Sequence, residues 1–324
     1  MILITTATGT TGYATTCELL KEGYPVRIYV RSANQKARAL AQLGAEIAFG
    51  ELGNYEALLE ALTGVTKVYY NSPYLPGMIE NVALFIKAAL ASGVESVVFM
   101  GQWLAEFDDQ KSLHTNHVKI ACQMFSESGL NVVYYNPGFF AENVIPLTES
   151  IVQLGMMPSP FGEGKCPWIS GADQGRVIAA LLKNPVPFYG QKIHPTGPRS
   201  IDATEMAAIY SKITGRKVKV MPITEKMFMK ALISAGFDPF TAVQISFYME
   251  EFRKGRFAEG GPTDVVKRLT GREPEDFETI AHQFVKYSPN NKRNFSGIWH
   301  TIKNTIKLML TRIPNKLELA VLNQ

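Results

Sequence analysis

Two hydrophobic patterns alternate along the chain. Short runs rich in β-branched and aromatic residues are typical of buried strands, and they cover residues 2–5, 26–30, 46–49, 65–70, 96–100 and 131–135. Stretches with hydrophobic residues at helical spacing lie between them, for example residues 37–43, 55–62 and 79–91. Strands that alternate with helices predict a parallel sheet, and strands that are apolar on both faces predict helices on both sides of it. The pattern therefore predicts a doubly wound α/β fold.

Glycines mark the ends of the predicted helices. A residue in the left-handed conformation commonly closes a helix, and glycine adopts that conformation without strain. The glycines that directly follow a helical stretch are Gly23, Gly44, Gly64, Gly93 and Gly129.

The alternation changes after about residue 140, and this change predicts the domain organisation. Prolines and glycines become frequent there, and helical patterns dominate from residue 202 onward. The expected units are residues 1–145 with 172–197 as the α/β domain, residues 146–171 and 198–290 as a smaller, mostly helical lobe, and residues 291–324 as an amphipathic tail.

Composition limits the class of protein. The 324 residues are 46% hydrophobic and 19% charged, which is typical of a globular chain and excludes extensive disorder. No run approaches the ~18 apolar residues of a membrane-spanning helix, and the first residues lack the basic segment of an export signal, so we expect a cytoplasmic protein. The formal net charge of +4 is too small to indicate nucleic-acid binding. The three cysteines lack metal-ligand spacing, so no metal is expected.

The segment between the first strand and the first helix carries the clearest chemical signal. Residues 6–12 read Thr-Ala-Thr-Gly-Thr-Thr-Gly. Such a turn of small residues lets backbone amides and the positive end of the helix dipole bind a pyrophosphate. In a Gly-x-x-Gly-x-x-Gly pattern, Gly9 and Gly12 are the second and third glycines, whereas Thr6 occupies the first position. The residues expected to contact a dinucleotide here are Thr6, Thr8, Gly9, Thr10, Thr11 and Gly12.

The end of the second strand indicates which dinucleotide binds. An acidic residue there hydrogen-bonds the ribose of NAD, whereas an arginine can pair with the 2′-phosphate of NADP. Here Arg31 and Ser32 follow the strand, with Lys36 and Arg38 beyond them. The sequence therefore favours NADP, with NAD as the alternative.

Residues at the ends of other strands should border the same ligand, because ligands bind at the carboxyl edge of an open α/β sheet. Those after the third and fourth strands are expected near the adenosine half, and those after the fifth should line the cleft. They are Glu51 and Leu52 after the third strand, Asn71, Ser72 and Pro73 after the fourth, and Gln102 and Trp103 after the fifth.

The order and spacing of six segments carry a family resemblance. The segments are residues 5–12, 30–31, 50–52, 128–130, 137–143 and 269–274. Together they resemble the NmrA-like branch of the atypical short-chain dehydrogenase/reductase superfamily, over residues 1 to about 287. The resemblance implies a Rossmann domain with an interleaved C-terminal lobe, a bound NADP or NAD, and a substrate cleft between the two. It also implies that Asn136, Pro137 and Gly138 abut the nicotinamide.

The resemblance includes a departure at the usual catalytic pair. Short-chain dehydrogenases generally use Tyr-x-x-x-Lys on the helix after the fifth strand, where the lysine holds the nicotinamide ribose and lowers the tyrosine pKa. Lys119 occupies the lysine position, but Thr115 occupies the tyrosine position, and a threonine hydroxyl is too weak an acid for that role. We therefore expect Lys119 to contact the cofactor and to be the candidate catalytic residue. We interpret His114 and His117 as helix-surface histidines without a catalytic role.

Aromatic residues from the fifth strand onward fit either a substrate site or the core between the lobes, because the two share this composition. The candidate substrate-binding residues are Trp103, Phe139, Phe140 and Trp168. Phe237 and Tyr248 lie on helical patterns of the C-terminal lobe, and we interpret them as packing residues.

The C-terminal tail has hydrophobic residues at helical spacing between Asn294 and Ile313, with Lys303, Lys307 and Arg312 outside that stripe. Such a helix suits either a membrane surface or a protein surface, which could be this protein's own lobe, a second copy of this chain or a partner protein. Leu308 interrupts the separation of apolar and basic positions, and the sequence favours packing on protein.

These observations predict an NAD(P)H-dependent oxidoreductase that acts on a small or medium apolar carbonyl, quinone or enone. The missing tyrosine leaves open a non-catalytic redox sensor that binds NADP. An NAD-dependent epimerase or dehydratase is a further alternative, which is disfavoured because its chemistry relies on the missing acid/base pair.

Overall fold

The computed structural model describes residues 1–73, 77–234 and 236–311. Its strands in chain order are β1 (Ile2–Thr5), β2 (Val26–Val30), β3 (Glu46–Phe49), β4 (Lys67–Tyr70), β5 (Ser96–Met100), β6 (Val132–Tyr135), β7 (Met156–Ser159), β8 (Lys192–Ile193) and β9 (Lys219–Pro222). Within the described ranges, seven of them form one parallel sheet in the order β3-β2-β1-β4-β5-β6-β8. The other two, β7 and β9, pair in parallel as a separate small sheet.

The helices alternate with the strands in the first half of the chain and dominate the second half. They are α1 (Thr10–Lys21), α2 (Gln35–Gln42), α3 (Tyr55–Leu62), α4 (Met78–Ala91), α5 (Leu113–Glu127), α6 (Thr148–Leu154), α7 (Gly171–Lys183), α8 (Ala203–Thr214), α9 (Glu225–Ser234), α10 (Pro239–Arg253), α11 (Val265–Thr270), α12 (Phe277–Tyr287) and α13 (Phe295–Leu310). Short 3-10 helices cover Trp103–Glu106, Ala141–Leu147 and Val186–Phe188.

Helices cover both faces of the large sheet, as its apolar strands require. Helices α1, α2, α7 and α11 bury one face, and α3, α4 and α5 bury the other. The predicted doubly wound fold is confirmed, and the six strands expected from the sequence form with shifts of at most two residues at their starts. The five glycines expected at helix ends all have positive φ, between +70° and +107°.

Helices α1 and α7 pack unusually closely. A β-carbon on Gly175 of α7 would lie 2.6 Å from the carbonyl carbon of Ala14 and 2.8 Å from the amide nitrogen of Thr15. Because both atoms belong to the backbone of α1, only glycine lets α7 approach this far. This contact fixes the returning segment beside the first helix.

A third core joins the carboxyl edge of the sheet to the C-terminal lobe. It combines residues that follow β5 and β6 with residues of α6, α8, α10 and α12. The small β7–β9 sheet belongs to this lobe, and the sequence did not predict it. Strand β8 extends the large sheet beside β6.

Candidate functional site

The turn between β1 and α1 leaves the start of a helix open. Gly9 is the residue before α1, and no side chain among the described residues caps this helix start. By contrast, Asn34, Asn54, Ser112 and Ser170 each cap a helix of the same domain with a side-chain oxygen. The first-turn amides of α1, which begins at the exposed Thr10, are therefore accessible to a ligand oxygen.

The same turn is tightly folded against its own backbone. A β-carbon on Gly12 would lie 2.7 Å from the Thr6 carbonyl oxygen and 2.9 Å from the Ala7 Cα. Thr6 occupies the position of the first glycine in the expected pattern, and its φ is +48°, the one positive φ of a non-glycine residue in the described ranges. The threonine therefore adopts the left-handed backbone that glycine would supply.

Three of the threonines predicted to contact a dinucleotide lie at different depths in this turn. Thr8 is half-buried, Thr10 is exposed, and Thr11 is buried with its Oγ1 2.8 Å from the Tyr69 hydroxyl. Thr11 can therefore offer its backbone amide while its side chain packs on the sheet.

Positive charge lies beside the turn. The Lys36 ammonium donates to the Thr8 carbonyl oxygen at 3.3 Å, and Arg31 and Ser32 are exposed at the end of β2. Two cations next to an open helix start suit a ligand with several phosphates.

The end of β3 lies beside the end of β2, next to this region. Glu51 is exposed, and Leu52 is half-buried. The Tyr29 hydroxyl of β2 donates to the Glu51 carbonyl oxygen at 2.9 Å, which fixes the path of the chain after β3.

A cleft of about 260 Å³ lies along the carboxyl edge of the sheet, at the ends of β4, β5 and β6. The Asn71 amide donates to Thr5 Oγ1 at 2.9 Å, so the end of β4 is tied to the end of β1. Beyond this link, the cleft is lined by residues that follow β4, β5 and β6 and by residues of the C-terminal lobe. The predicted residues that line it are Asn71, Ser72, Gln102, Trp103, Pro137, Gly138, Phe139 and Phe140.

Asn136, Trp168 and Pro73 are predicted near the cleft but lie outside its lining. Asn136 is buried, and its Nδ2 donates to Glu106 Oε1 at 2.7 Å. Trp168 is buried in the third core, where its ring contacts Phe139 and Phe252. Trp168 packs in this core and does not line the cleft, so its role as a substrate-binding residue stays a prediction. Pro73 is half-buried next to residues 74–76, which lie outside the described ranges.

Lys119 is not among the residues that line the cleft. Its ammonium donates to the Phe107 carbonyl oxygen at 2.6 Å and lies 3.4 Å from Asp108 Oδ1. Thr115, one helical turn earlier, is buried, and its hydroxyl has no hydrogen-bond partner among the described residues. The cofactor and catalytic roles of Lys119 therefore stay predictions, which require its side chain to leave the Phe107 carbonyl.

His114 lines the cleft and is buried, so its interpretation as a helix-surface histidine is wrong. Its backbone amide donates to Gln244 Oε1 of α10 at 3.2 Å, which shows that the lobe covers this end of α5. Burial lowers the pKa of His114 to about 3, and the neighbouring His117 acts in the same direction. His114 is therefore neutral near pH 7. His117 is half-buried.

The C-terminal lobe adds side chains that the sequence did not assign to the site. Tyr248 of α10 is buried at the cleft, and its hydroxyl oxygen accepts a hydrogen bond from Gln102 Nε2. Phe237, Thr241 and Ile245 line the same wall. Tyr248 also packs in the third core, as the sequence predicted, and the structure adds that both Phe237 and Tyr248 line the cleft.

The described residues carry neither a metal cluster nor a membrane span. Within residues 1–73, 77–234 and 236–311, no group of three or more His, Cys, Asp or Glu side chains could hold a metal ion. In the same part of the chain, no helix combines the length and apolar composition needed to cross a bilayer.

Comparison with known proteins gives concordant matches over most of the chain. The model of the NmrA-like family matches residues 1–281. An NAD(P)H azoreductase of Xenophilus azovorans is 30% identical over 296 residues, which cover 87% of this chain and 96% of that protein. Quinone oxidoreductase 2 of Escherichia coli strain K12 is 27% identical over 290 residues, 88% of this chain and 99% of that protein.

A solved structure gives the same picture for the fold. The NADPH complex of an NADPH-dependent quinone oxidoreductase from Escherichia coli matches with a TM-score of 0.77. The match covers 87% of this chain and 99% of that one, at 23% sequence identity.

Proposed function

The chain belongs to the NmrA-like family, and we propose that it is an NAD(P)H-dependent oxidoreductase that reduces quinones or similar small apolar acceptors. One observation carries this proposal: an open helix start suited to phosphates and an apolar cleft lie on the same edge of the sheet. A dinucleotide bound along that edge would place its nicotinamide beside the aromatic walls of the cleft. The names of the azoreductase and the quinone oxidoreductase support the same class of acceptor.

NADP is the proposed cofactor, with NAD as the alternative. The residues present fit the group, because α1 has an open start and Gly9 and Gly12 keep the turn free of side chains. Arg31 and Lys36 supply positive charge where β2 ends, and a 2′-phosphate carries the matching negative charge. The expected adenosine contacts are Glu51, Leu52, Asn71, Ser72 and Pro73, and the expected nicotinamide contacts are Gln102, Pro137 and Gly138.

Reduction of a quinone to a hydroquinone consumes one hydride and one proton. The cofactor would supply the hydride when it is bound. The proton donor that we assign is the Tyr248 hydroxyl, which faces the cleft and is held by Gln102 Nε2. A phenol is a much stronger acid than the hydroxyl of Thr115. His114 cannot donate a proton as an imidazolium, since its low pKa keeps it neutral.

The apolar walls orient a flat acceptor and exclude water. Trp103 is fixed because its Nε1 donates to the Arg256 carbonyl oxygen at 2.9 Å. Phe139 and Phe257 stack edge-to-face with their centroids 4.8 Å apart. These rings form a rigid surface that suits a planar aromatic or quinonoid molecule.

The test compares NADPH oxidation by the wild-type protein and by Tyr248→Phe across a panel of quinones, enones and azo dyes. We expect quinone-dependent turnover in the wild type. In Tyr248→Phe we expect kcat to fall by about 100-fold, the effect of losing a general acid, while the dissociation constant of NADPH stays unchanged. Tyr210→Phe is the matched control, because Tyr210 is buried in the same lobe but lies away from the cleft.

Two results would redirect the proposal. Equal turnover of Tyr248→Phe and the wild type would remove the tyrosine from the mechanism. Tight NADPH binding without turnover of any acceptor would favour a redox sensor, whose affinity for a partner should then differ between NADPH-loaded and empty protein.

A further inference from the structure

Helix α13 turns its small and polar side toward the protein. Gly297 and Thr301 are buried on the side that contacts α6 and α9. A β-carbon on Gly297 would lie 2.6 Å from Cδ of Gln153, so glycine allows the helix to approach α6 closely. The buried positions of this helix among the described side chains are therefore a glycine and a threonine, and several of its large hydrophobic side chains are exposed.

Polar contacts fix α13 in this orientation. The fully buried Gln153 donates from Nε2 to the carbonyl oxygens of Asn290 and Lys292, both at 2.9 Å, and accepts from the Asn294 amide at 3.1 Å. Glu149 Oε1 lies 2.8 Å from His300 Nδ1. A buried amide and a carboxylate of α6 thus hold the first half of the helix, so its outward face is defined.

The outward face of α13 is hydrophobic. Phe295, Trp299 and Leu310 are 84%, 65% and 78% exposed, and Ile302 and Ile306 are exposed between them. The steps of four, three, four and four residues place all five side chains on one stripe. The helix has 16 residues and is about 24 Å long at 1.5 Å per residue. Exposed apolar surface this continuous marks an interaction site.

The charged residues of α13 and of the segment just before it are all Lys or Arg, and neither stretch contains Asp or Glu. Lys303 and Lys307 are exposed next to it, and Lys292 and Arg293 are exposed just before the helix. The segment Phe295–Leu310 contains no acidic residue. An apolar stripe with an aromatic pair and a basic flank complements a surface that is apolar inside and anionic outside.

We propose that α13 docks this protein on an anionic lipid bilayer, lying in the plane of the membrane surface. This assignment reverses the preference drawn from the sequence. The helix does pack on protein, but through its polar side, and no described residue covers the apolar stripe. A two-fold pairing of the same stripe would place the lysines of two copies close together without an acidic partner, which disfavours a second copy as the occupant.

The test is co-sedimentation of the full-length protein with vesicles. One set contains phosphatidylcholine alone, and the other contains equimolar phosphatidylcholine and phosphatidylserine. We expect binding to the mixed vesicles that weakens as salt is added. Trp299→Ser should lower the partition coefficient by about tenfold or more, because it removes a large apolar side chain from the interface. The double substitution Lys303→Glu and Lys307→Glu should lower the partition coefficient by more than about tenfold for the mixed vesicles, and should leave it unchanged for phosphatidylcholine vesicles.

Val186→Ser is the matched control, because Val186 is 66% exposed in a different part of the surface. All variants alter exposed side chains, and turnover of a water-soluble quinone should be equal in each, which verifies folding independently of lipid. Equal sedimentation of wild type and Trp299→Ser, or equal binding to both vesicle sets, would overturn the proposal. A dimer of the wild type that Trp299→Ser converts to a monomer would also overturn it in favour of a second copy.

Discussion

Thr6 adopts a backbone conformation that its residue type disfavours. A left-handed φ costs a residue with a β-carbon about 1–2 kcal/mol relative to glycine, and Thr6 sits at φ +48° in the turn that we assign to the cofactor phosphates. Its Oγ1 is buried and has no hydrogen-bond partner among the described residues. The strained φ and the unpaired hydroxyl both reduce the stability of the folded protein at the proposed cofactor site, and interactions elsewhere in the fold compensate for them.

Replacing Thr6 by glycine should therefore help the turn. We expect Thr6→Gly to raise the free energy of unfolding by about 1 kcal/mol, since relief of strain and loss of an unpaired hydroxyl outweigh the added chain entropy. Urea unfolding measures this change. Thr8→Gly is the control in the same turn, and it should lose about 0.5–1 kcal/mol because Thr8 has no strained φ to relieve. Equal losses in both variants would contradict the assignment of strain to Thr6.

His114 should make stability depend on pH. Its pKa is about 3 in the folded protein and about 6.5 in an exposed chain. Between these values the unfolded chain binds a proton that the folded protein does not, so stability falls as the pH drops below about 6.5. The loss approaches about 1.4 kcal/mol per pH unit, or roughly 2 kcal/mol at about pH 5.

Urea unfolding of wild type and His114→Gln at about pH 7.5 and about pH 5 isolates this contribution, because the other titrating groups are common to both proteins. The variant should show the smaller loss between the two pH values. His117→Gln, which alters a half-buried histidine on the same helix, should behave more like the wild type. A variant His114→Gln with the wild-type pH dependence would show that His114 is not buried as a neutral side chain.

At the scale of elements, the sequence predicts those strands and helices whose own residues favour that structure. Strands β1 to β6 are short runs rich in β-branched and aromatic residues, so most of them are identified by their own residues without reference to distant parts of the chain. Strand β7 contains Pro158, which argues against a strand, and it forms only because β9 pairs with it.

The cleft depends on similar long-range contacts. Tyr248 meets Gln102 across 146 residues, and Gln244 meets His114 across 130. No local pattern distinguishes a helix face that packs from one that lines a cleft. The carboxyl edge of the sheet was therefore predictable, whereas the wall contributed by α10 was not.

The contact between α1 and α7 supports a prediction at this scale. Gly175→Ala should lower the free energy of unfolding by about 2 kcal/mol or more, because the new β-carbon meets the backbone of Ala14 and Thr15. Gly171→Ala is the matched control on the same helix. Its β-carbon would meet side-chain atoms of Thr10 and Glu142, which can move. Thermal or urea unfolding should rank Gly175→Ala below Gly171→Ala, and the reverse order would contradict the close packing.

At the scale of the whole molecule, the proposed membrane face and the proposed catalytic cleft belong to one lobe. Helix α9 contacts both α13 and α10. The chain after α9 supplies Phe237, and α10 supplies Tyr248, to the wall of the cleft. Docking through α13 would therefore hold this wall close to the bilayer, where apolar quinones concentrate. The positive charge of Arg31 and Lys36, beside the ends of β2 and β1, would serve the proposed water-soluble cofactor instead.

This arrangement predicts that Trp299, on the protein surface, affects the rate of NADPH oxidation only when the acceptor is dissolved in the membrane. With a long-chain quinone dissolved in vesicles of equimolar phosphatidylcholine and phosphatidylserine, Trp299→Ser should lower the rate of NADPH oxidation by about tenfold, in line with its weaker partitioning. With a water-soluble quinone the variant and the wild type should be equal, since Trp299 lies outside the cleft. Tyr248→Phe should instead be slow with both acceptors. Because the two substitutions have different signatures, a failure of membrane docking is distinguishable from a failure of the proposed chemistry. If Trp299→Ser and the wild type had equal rates in vesicles, α13 would not contribute to the delivery of the long-chain quinone, even if the helix binds lipid.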